Sequence, residues 1–89
     1  MTIFLKDPEA KLDYSVDWID WLESGEVIVT STWTVPSGIT KDSDSNSDSA
    51  ATIWLLGGTA GEEYKVVNHV VTDTPREDDR MLTIKVRNR

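Results

Sequence analysis

The residues with the most chemical potential lie between 42 and 48, where Asp42-Ser43-Asp44-Ser45-Asn46-Ser47-Asp48 sets an acid or an amide at every second position. Oxygens at positions 1, 3 and 5 open an EF-hand calcium loop, whose sixth residue is a glycine and whose twelfth is a bidentate glutamate. Here those places hold Ser47 and Ile53, and no helical pattern flanks the segment. Two readings stay open: a weak calcium loop, or a solvated loop whose charges favour solubility. His69 is the single imidazole. A Ser-His-Asp triad would rest on it alone, in mid-strand and without a nucleophile elbow, so a histidine on a sheet face is the simpler reading. The glycines of GGTAG, Gly57, Gly58 and Gly61, could cradle phosphate. No GK[ST] follows them, and the chain continues into a strand rather than a helix, which makes them turn residues. Glycoside hydrolysis needs two carboxylates set across a cleft. Sixteen acids in 89 residues supply the groups without the size to arrange them. The residues offer no catalytic set, no cofactor site and no assigned metal site, and a small hydrolase is left without equipment.

Composition narrows the class further. Eighty-nine residues make one domain with one core, burying roughly 60–65% of the surface that the unfolded chain exposes. Four tryptophans among 38% apolar residues give a globular composition. The absence of cysteine removes disulfides and thiolate zinc sites, and is compatible with a reducing cytoplasm. MTIFLKDPEA shows no basic n-region, no long apolar stretch and no small-residue cleavage site, so neither an export signal nor a membrane span is expected. The net charge is −7, which repels a phosphate backbone and makes nucleic acid a poor partner. That charge is uneven: residues 1–63 hold twelve acids against three bases, and residues 64–89 hold four against six. The bases of MLTIKVRNR either offset acids on a neighbouring strand or, with Arg80, Arg87 and Arg89, meet an acidic partner surface.

The elements that would carry these residues read as short strands. Ile3-Phe4-Leu5 is an apolar stub ended by Asp7-Pro8, a turn signal. We take residues 1–10 as an N-terminal stub that orders on docking, and residues 11–89 as the domain. Leu12, Tyr14, Val16 and Trp18 alternate with Asp13, Ser15 and Asp17, the pattern of a half-buried strand. DWIDWL then allows one helical turn near Trp18–Leu22, too short for a stable helix. EVIVTSTWTV, residues 26–35, is the strongest strand, with Val27, Val29, Trp33 and Val35 expected inward. Pro36-Ser37-Gly38 ends it. After Ile39 and Thr40 the polar tract reads as a mobile loop or a weak edge segment. In the strand from Ala51 to Leu56 the inward pair is Ile53 and Leu55, leaving Trp54 and Leu56 as an outward apolar patch that could dock a partner.

Ala50 to Thr72 joins an apolar run, a glycine-rich corner and a second apolar run opening on Tyr64. A tyrosine just past such a corner folds its ring beneath the turn and bonds its hydroxyl to the backbone. In that second run Asn68 falls among the inward residues and needs a hydrogen-bond partner. The loop Thr72–Asp79 leads to a last strand with Leu82, Ile84 and Val86 inward and Thr83, Lys85 and Arg87 outward. Six or seven short strands with at most one helical turn predict an all-β, immunoglobulin-like antiparallel β-sandwich.

EVIVTSTWTVPSG followed by GGTAGEEYKVV resembles the strand-B tryptophan and tyrosine corner of fibronectin type III and related immunoglobulin-like domains, with Trp33 and Tyr64 in the corresponding places. Across nearly the whole chain, the order DPEAKLDYSVDWIDWL, EVIVTSTWTVPSGIT, TIWLLGGTAGEEYKV and TIKVRNR resembles a family of short phage and prophage proteins described as fibre-tail adaptor or neck-region structural proteins. The resemblance implies a noncatalytic virion component, made in the bacterial host cytoplasm, that joins tail, neck or fibre parts through contacts with other phage structural proteins. It implies no cofactor, no nucleic acid and no membrane, with a monomer in isolation and copies forming a ring in the virion. The alternative is an immunoglobulin-like adhesive module that binds carbohydrate or calcium through exposed Trp54 or Trp21, or through the 42–48 acids.

Overall fold

A computed structural model describes residues 2–7 and 9–87 of the chain. Seven strands run through them: β1 Thr2–Lys6, β2 Leu12–Asp17, β3 Ile28–Thr34, β4 Ile39–Asn46, β5 Ala50–Gly57, β6 Glu63–Thr72 and β7 Glu77–Val86. They form a four-stranded sheet in the order β1-β7-β6-β3 and a three-stranded sheet in the order β2-β5-β4. All neighbours are antiparallel except β1, which lies parallel to β7. This is the expected immunoglobulin-like sandwich. The segment read as an N-terminal stub supplies one of its edge strands.

Alternation along β2, β5 and β6 buries Tyr14, Val16, Ile53, Leu55, Val66 and Val70, which meet Leu82, Ile84 and Val86 of β7 in one core. The inward choice of Ile53 and Leu55 is the one observed. Trp18, one residue past β2, is completely buried and packs edge-on against Trp21 with ring centroids 5.2 Å apart. Its turn is closed by hydrogen bonds from the Trp21 and Leu22 amides to the Trp18 carbonyl.

The face of β3 differs from expectation. Ile28 is buried and Val29 is 61% exposed, although the alternation of EVIVTSTWTV points Val29 inward. A bulge between Ile28 and Thr30 inserts one extra residue against β6, and an inserted residue reverses the phase on one side of it. Trp33 keeps its inward phase but is only partly buried, at the rim of the core. It also sits on β3, beside the corner strand β6 in the same sheet, which is the place of strand C rather than strand B in an immunoglobulin sandwich. The completely buried tryptophan is Trp18.

Two other segments are more ordered than their polarity suggests. Residues 39–46 form β4, an edge strand paired along β5 with a bulge between Lys41 and Ser43. The loop expected over 72–79 is shorter, because β7 begins at Glu77 and pairs as far as Val71. Thr83, expected outward, is buried.

Tyr64 forms the corner anticipated for it. Its ring is buried and its hydroxyl accepts a 2.9 Å hydrogen bond from the Thr59 amide. The ring reaches across to Gly38, where an added Cβ would stand 2.9 Å from a ring carbon. Gly38 has a φ of 100°, a region that L side chains avoid.

Opposite the corner, a buried carboxylate paired with a partly exposed arginine locks the other end of the sandwich. Glu26 accepts from the Thr72 and Thr74 hydroxyls at 2.6 and 2.5 Å, from the Glu23 amide at 2.9 Å, and from Arg76. The Arg76 guanidinium also donates to the Trp21 carbonyl and lies 4.3 Å over the Trp21 ring. These bonds to the charged form hold the Glu26 carboxyl well below the usual carboxylate range, led by Arg76.

Two stability measurements follow from these contacts. Tyr64→Phe removes one bond to a backbone amide and lowers unfolding stability by about 1 kcal/mol, while Gly38→Ala loses roughly 1–2 kcal/mol from its left-handed backbone alone; denaturant titration reads both, and an unchanged midpoint for Tyr64→Phe would contradict the corner. A carboxyl whose pKa falls on folding adds stability that is complete above its ordinary pKa and is lost as pH falls towards the folded value. Thermal midpoints should therefore drop below about pH 4.5, and Glu26→Gln should flatten that acid limb while lowering the plateau at neutral pH.

Candidate interface

At the centre of the molecule Asn68 has no exposed surface, and its partners show why an amide occupies a core position. Its Oδ1 accepts from Trp18 Nε1 at 2.9 Å, and its Nδ2 donates to Ser31 Oγ at 2.9 Å and to the Thr32 carbonyl at 3.1 Å. Trp18 follows β2 of one sheet, whereas Ser31 and Thr32 lie on β3 of the other. One side chain thus ties both sheets in a region that excludes water, where unpaired amides are costly.

The five residues singled out for partner contact fall in separate places. Trp54 is 37% exposed on the outer face of the three-stranded sheet, opposite Asp13 of β2 and Ser43 of β4. Leu56, two residues along the same face, is partly buried. Around them stand the Ser15–Thr52 hydroxyl bond and the surface ion pairs Lys11–Asp42 and Lys41–Asp44. Arg80 is exposed but engaged with its own fold: its guanidinium lies 4.3 Å over the Trp18 ring and donates to the Asp17 carbonyl. Arg87 is exposed at the far end of β7, beside an open cleft of 310 Å³ that it lines with Gly61, Glu62, Glu63, Lys85 and Val86. Arg89 lies outside the described residues, as does Pro8 of the Asp7-Pro8 turn. Arg80 and Arg87 therefore occupy opposite ends of one strand and do not form a joint basic surface.

Strand direction sorts the remaining charge, a feature that halving the chain by residue number hides. The sandwich measures 43 Å by 22 Å by 18 Å. At the end where β2 and β6 finish and β3 and β7 begin gather Asp17, Asp20, Glu23, Glu26, Asp48, Asp73, Glu77, Asp78 and Asp79. Of the arginines among them, Arg76 is paired with Glu26 and Arg80 donates to the Asp17 carbonyl at the surface. The corner end mixes Lys6, Lys11, Lys41, Lys65, Lys85 and Arg87 with Asp7, Glu9, Asp13, Asp42, Glu62 and Glu63. The protein is a rod with one acidic pole.

Groups with chemical potential are placed as structural ones. His69 stands on the outer face of the four-stranded sheet, bonded to Asp79 at 2.5 Å and Glu77 at 2.9 Å. These two carboxylates, Asp79 first, raise its pKa. Asp42–Asn46 lies in an extended strand, which spaces alternate side chains roughly 7 Å apart in a row instead of curling them around one ion. Among the described residues no group of three acids or histidines is placed to hold a metal, and no helix is long and apolar enough to cross a membrane. Lys6 is buried at the corner, donating to the Gly57 and Asp7 carbonyls; burial lowers its pKa.

Sequence reasoning missed the Glu26–Arg76 pair and the Arg80–Trp18 stack. Neither has a local signal, since the partners lie dozens of residues apart.

Comparison with solved structures supports the architecture. The chain is similar to the PKD domain from KIAA 1837 protein, solved in solution, with a TM-score of 0.62 over 99% of this chain and 82% of that one, at 15% sequence identity. At that identity the likeness concerns the fold alone. No curated protein matches the chain. Residues 6–85, which hold the tyrosine corner, the Asn68 tie and both ends of the rod, match the family described as podophage GP4 fiber-tail adaptor protein gp77, and the chain belongs to that family.

Proposed function

We propose that the protein is a noncatalytic structural adaptor of a phage or prophage virion, joining tail, neck or fibre components through protein–protein contacts. The family match over residues 6–85 carries this reading. The physical features support it: one small core, polar ties that join both sheets, and a surface divided by charge. In this reading the chain is made in the host cytoplasm, is monomeric in isolation, and acts in several copies arranged as a ring, so that avidity multiplies weak contacts. Neither nucleic acid nor a membrane is its partner. Trp54 with Leu56 forms one contact face, and Arg87 marks a second at the corner end. Arg80, exposed beside the Trp18 turn, is a third contact residue.

Mass spectrometry of virions purified from the phage or induced prophage that encodes the chain tests the assignment. It should find the chain at several copies per particle, and particles from a strain lacking it should be devoid of fibres while retaining filled heads. Virions free of the chain, or fibre-bearing particles in its absence, would overturn the proposal. Within such virions Trp54→Glu should reduce fibre attachment at least tenfold with an unchanged thermal midpoint of the isolated domain, because that face carries contact and little core burial.

A further inference from the structure

Four edge strands bound the two sheets, and they are not equally protected. β4 carries Lys41, Asp42 and Asp44 and a bulge, and β2 carries Asp13 and Asp17. Charges and bulges are the means by which native sheets discourage pairing at an edge. β1 is short and is anchored by the buried Lys6 ammonium. β3 has none of these from Thr30 onward: Thr30-Ser31-Thr32-Trp33-Thr34 is uncharged, free of proline and glycine, and rich in β-branched residues. Among the described residues no strand pairs with its outer side. In an antiparallel pair every second residue directs its N–H and C=O away from its partner, so β3 presents a row of backbone groups to an incoming chain. Its own position is fixed, because Asn68 holds Ser31 and Thr32 and the Asp48 carbonyl accepts from the Ile28 amide.

The charge around that edge selects what can approach. Asp73 accepts from the Val27 amide, Asp48 adjoins Ile28, and Glu77 meets His69 in the row that continues to Thr32. Val29, the most exposed large apolar residue, stands at the bulge that begins the open stretch. The bases nearest that edge are engaged: His69, opposite Thr32, is held by Asp79 and Glu77, and Arg76 is held by Glu26. We infer that the edge Thr30–Thr34 is a strand-addition site, which takes an extended segment of a partner protein carrying Lys or Arg beside β-branched or apolar residues. Main-chain hydrogen bonds would supply affinity, and the acids at the β3 entrance would set the sign of the charge accepted. This inference rests on the adaptor reading for its choice of a protein partner. Its test uses the isolated domain, so a failure here leaves the virion experiment to decide the function independently.

The probe is an eight-residue peptide alternating Lys with Val, compared with its Glu/Val counterpart, each titrated into the full chain while backbone amide shifts and hydrogen exchange are followed. Saturable shifts and slowed exchange confined to β3 are expected with the Lys/Val peptide, with the Glu/Val peptide at least tenfold weaker. Asp48→Asn combined with Glu77→Gln should weaken the Lys/Val peptide severalfold while leaving the remaining amide shifts in place. Shifts on β2 or β4 instead, equal binding of both peptides, or no binding at millimolar peptide would overturn the proposal. Concentration-dependent shifts at β3 without peptide would also overturn it, by assigning the edge to a second copy of the chain.

Discussion

The structure depends on a buried amide finding all of its partners. Asn68 lies on β6, at the centre of a core otherwise filled by Val, Ile, Leu and aromatic rings. A leucine there would fill the space without the costs of a polar group. The amide instead orients Trp18 from the far sheet and Ser31 and Thr32 from the neighbouring strand in one hydrogen-bonded set. Apolar burial is non-directional and tolerates slippage between two sheets. An amide with three satisfied bonds allows one arrangement, and it fixes the Trp18 ring over which Arg80 lies.

Polar ties at the two ends extend that control along the rod. Tyr64 closes the corner against Thr59, and Glu26 with Arg76 closes the far end, joining the tryptophan turn to the β6–β7 hairpin. A protein that is gripped by neighbours must resist deformation where it is held, and these contacts brace the segments that local strand pairing leaves free. They also engage Arg76, one of the two arginines at the acidic pole. Nine acids against two arginines leave that pole net negative.

Much of this was legible in the sequence because it is written in period-two alternation and turn chemistry. The alternation of Tyr14, Val16 and Trp18, the inward choice of Ile53 and Leu55, and the Tyr64 corner depend on near neighbours along the chain, where pattern is informative. Asn68 was legible as a demand for a partner, though not as a bond to Trp18, which lies fifty residues away. The bulge at Val29 was not legible, because one inserted residue exchanges inward and outward positions with no mark in composition. The polar tract 39–46 pairs as a strand because its backbone finds β5, although its side chains have nothing to bury. Among the candidate contact residues, the outward placement of Trp54 was legible through strand phase, whereas the stacking of Arg80 depends on a ring brought close only by folding.

Hydrogen exchange of the tryptophan indole protons, resolved by NMR under native conditions, tests the central interaction most directly. If Asn68 binds Trp18 Nε1 inside the core, that proton exchanges only through global unfolding and tracks the slowest backbone amides, while the partly exposed Trp54 indole exchanges rapidly. A Trp18 indole that exchanges as fast as that of Trp54, in a protein whose β6 amides stay protected, would show that the two sheets are not joined in this way.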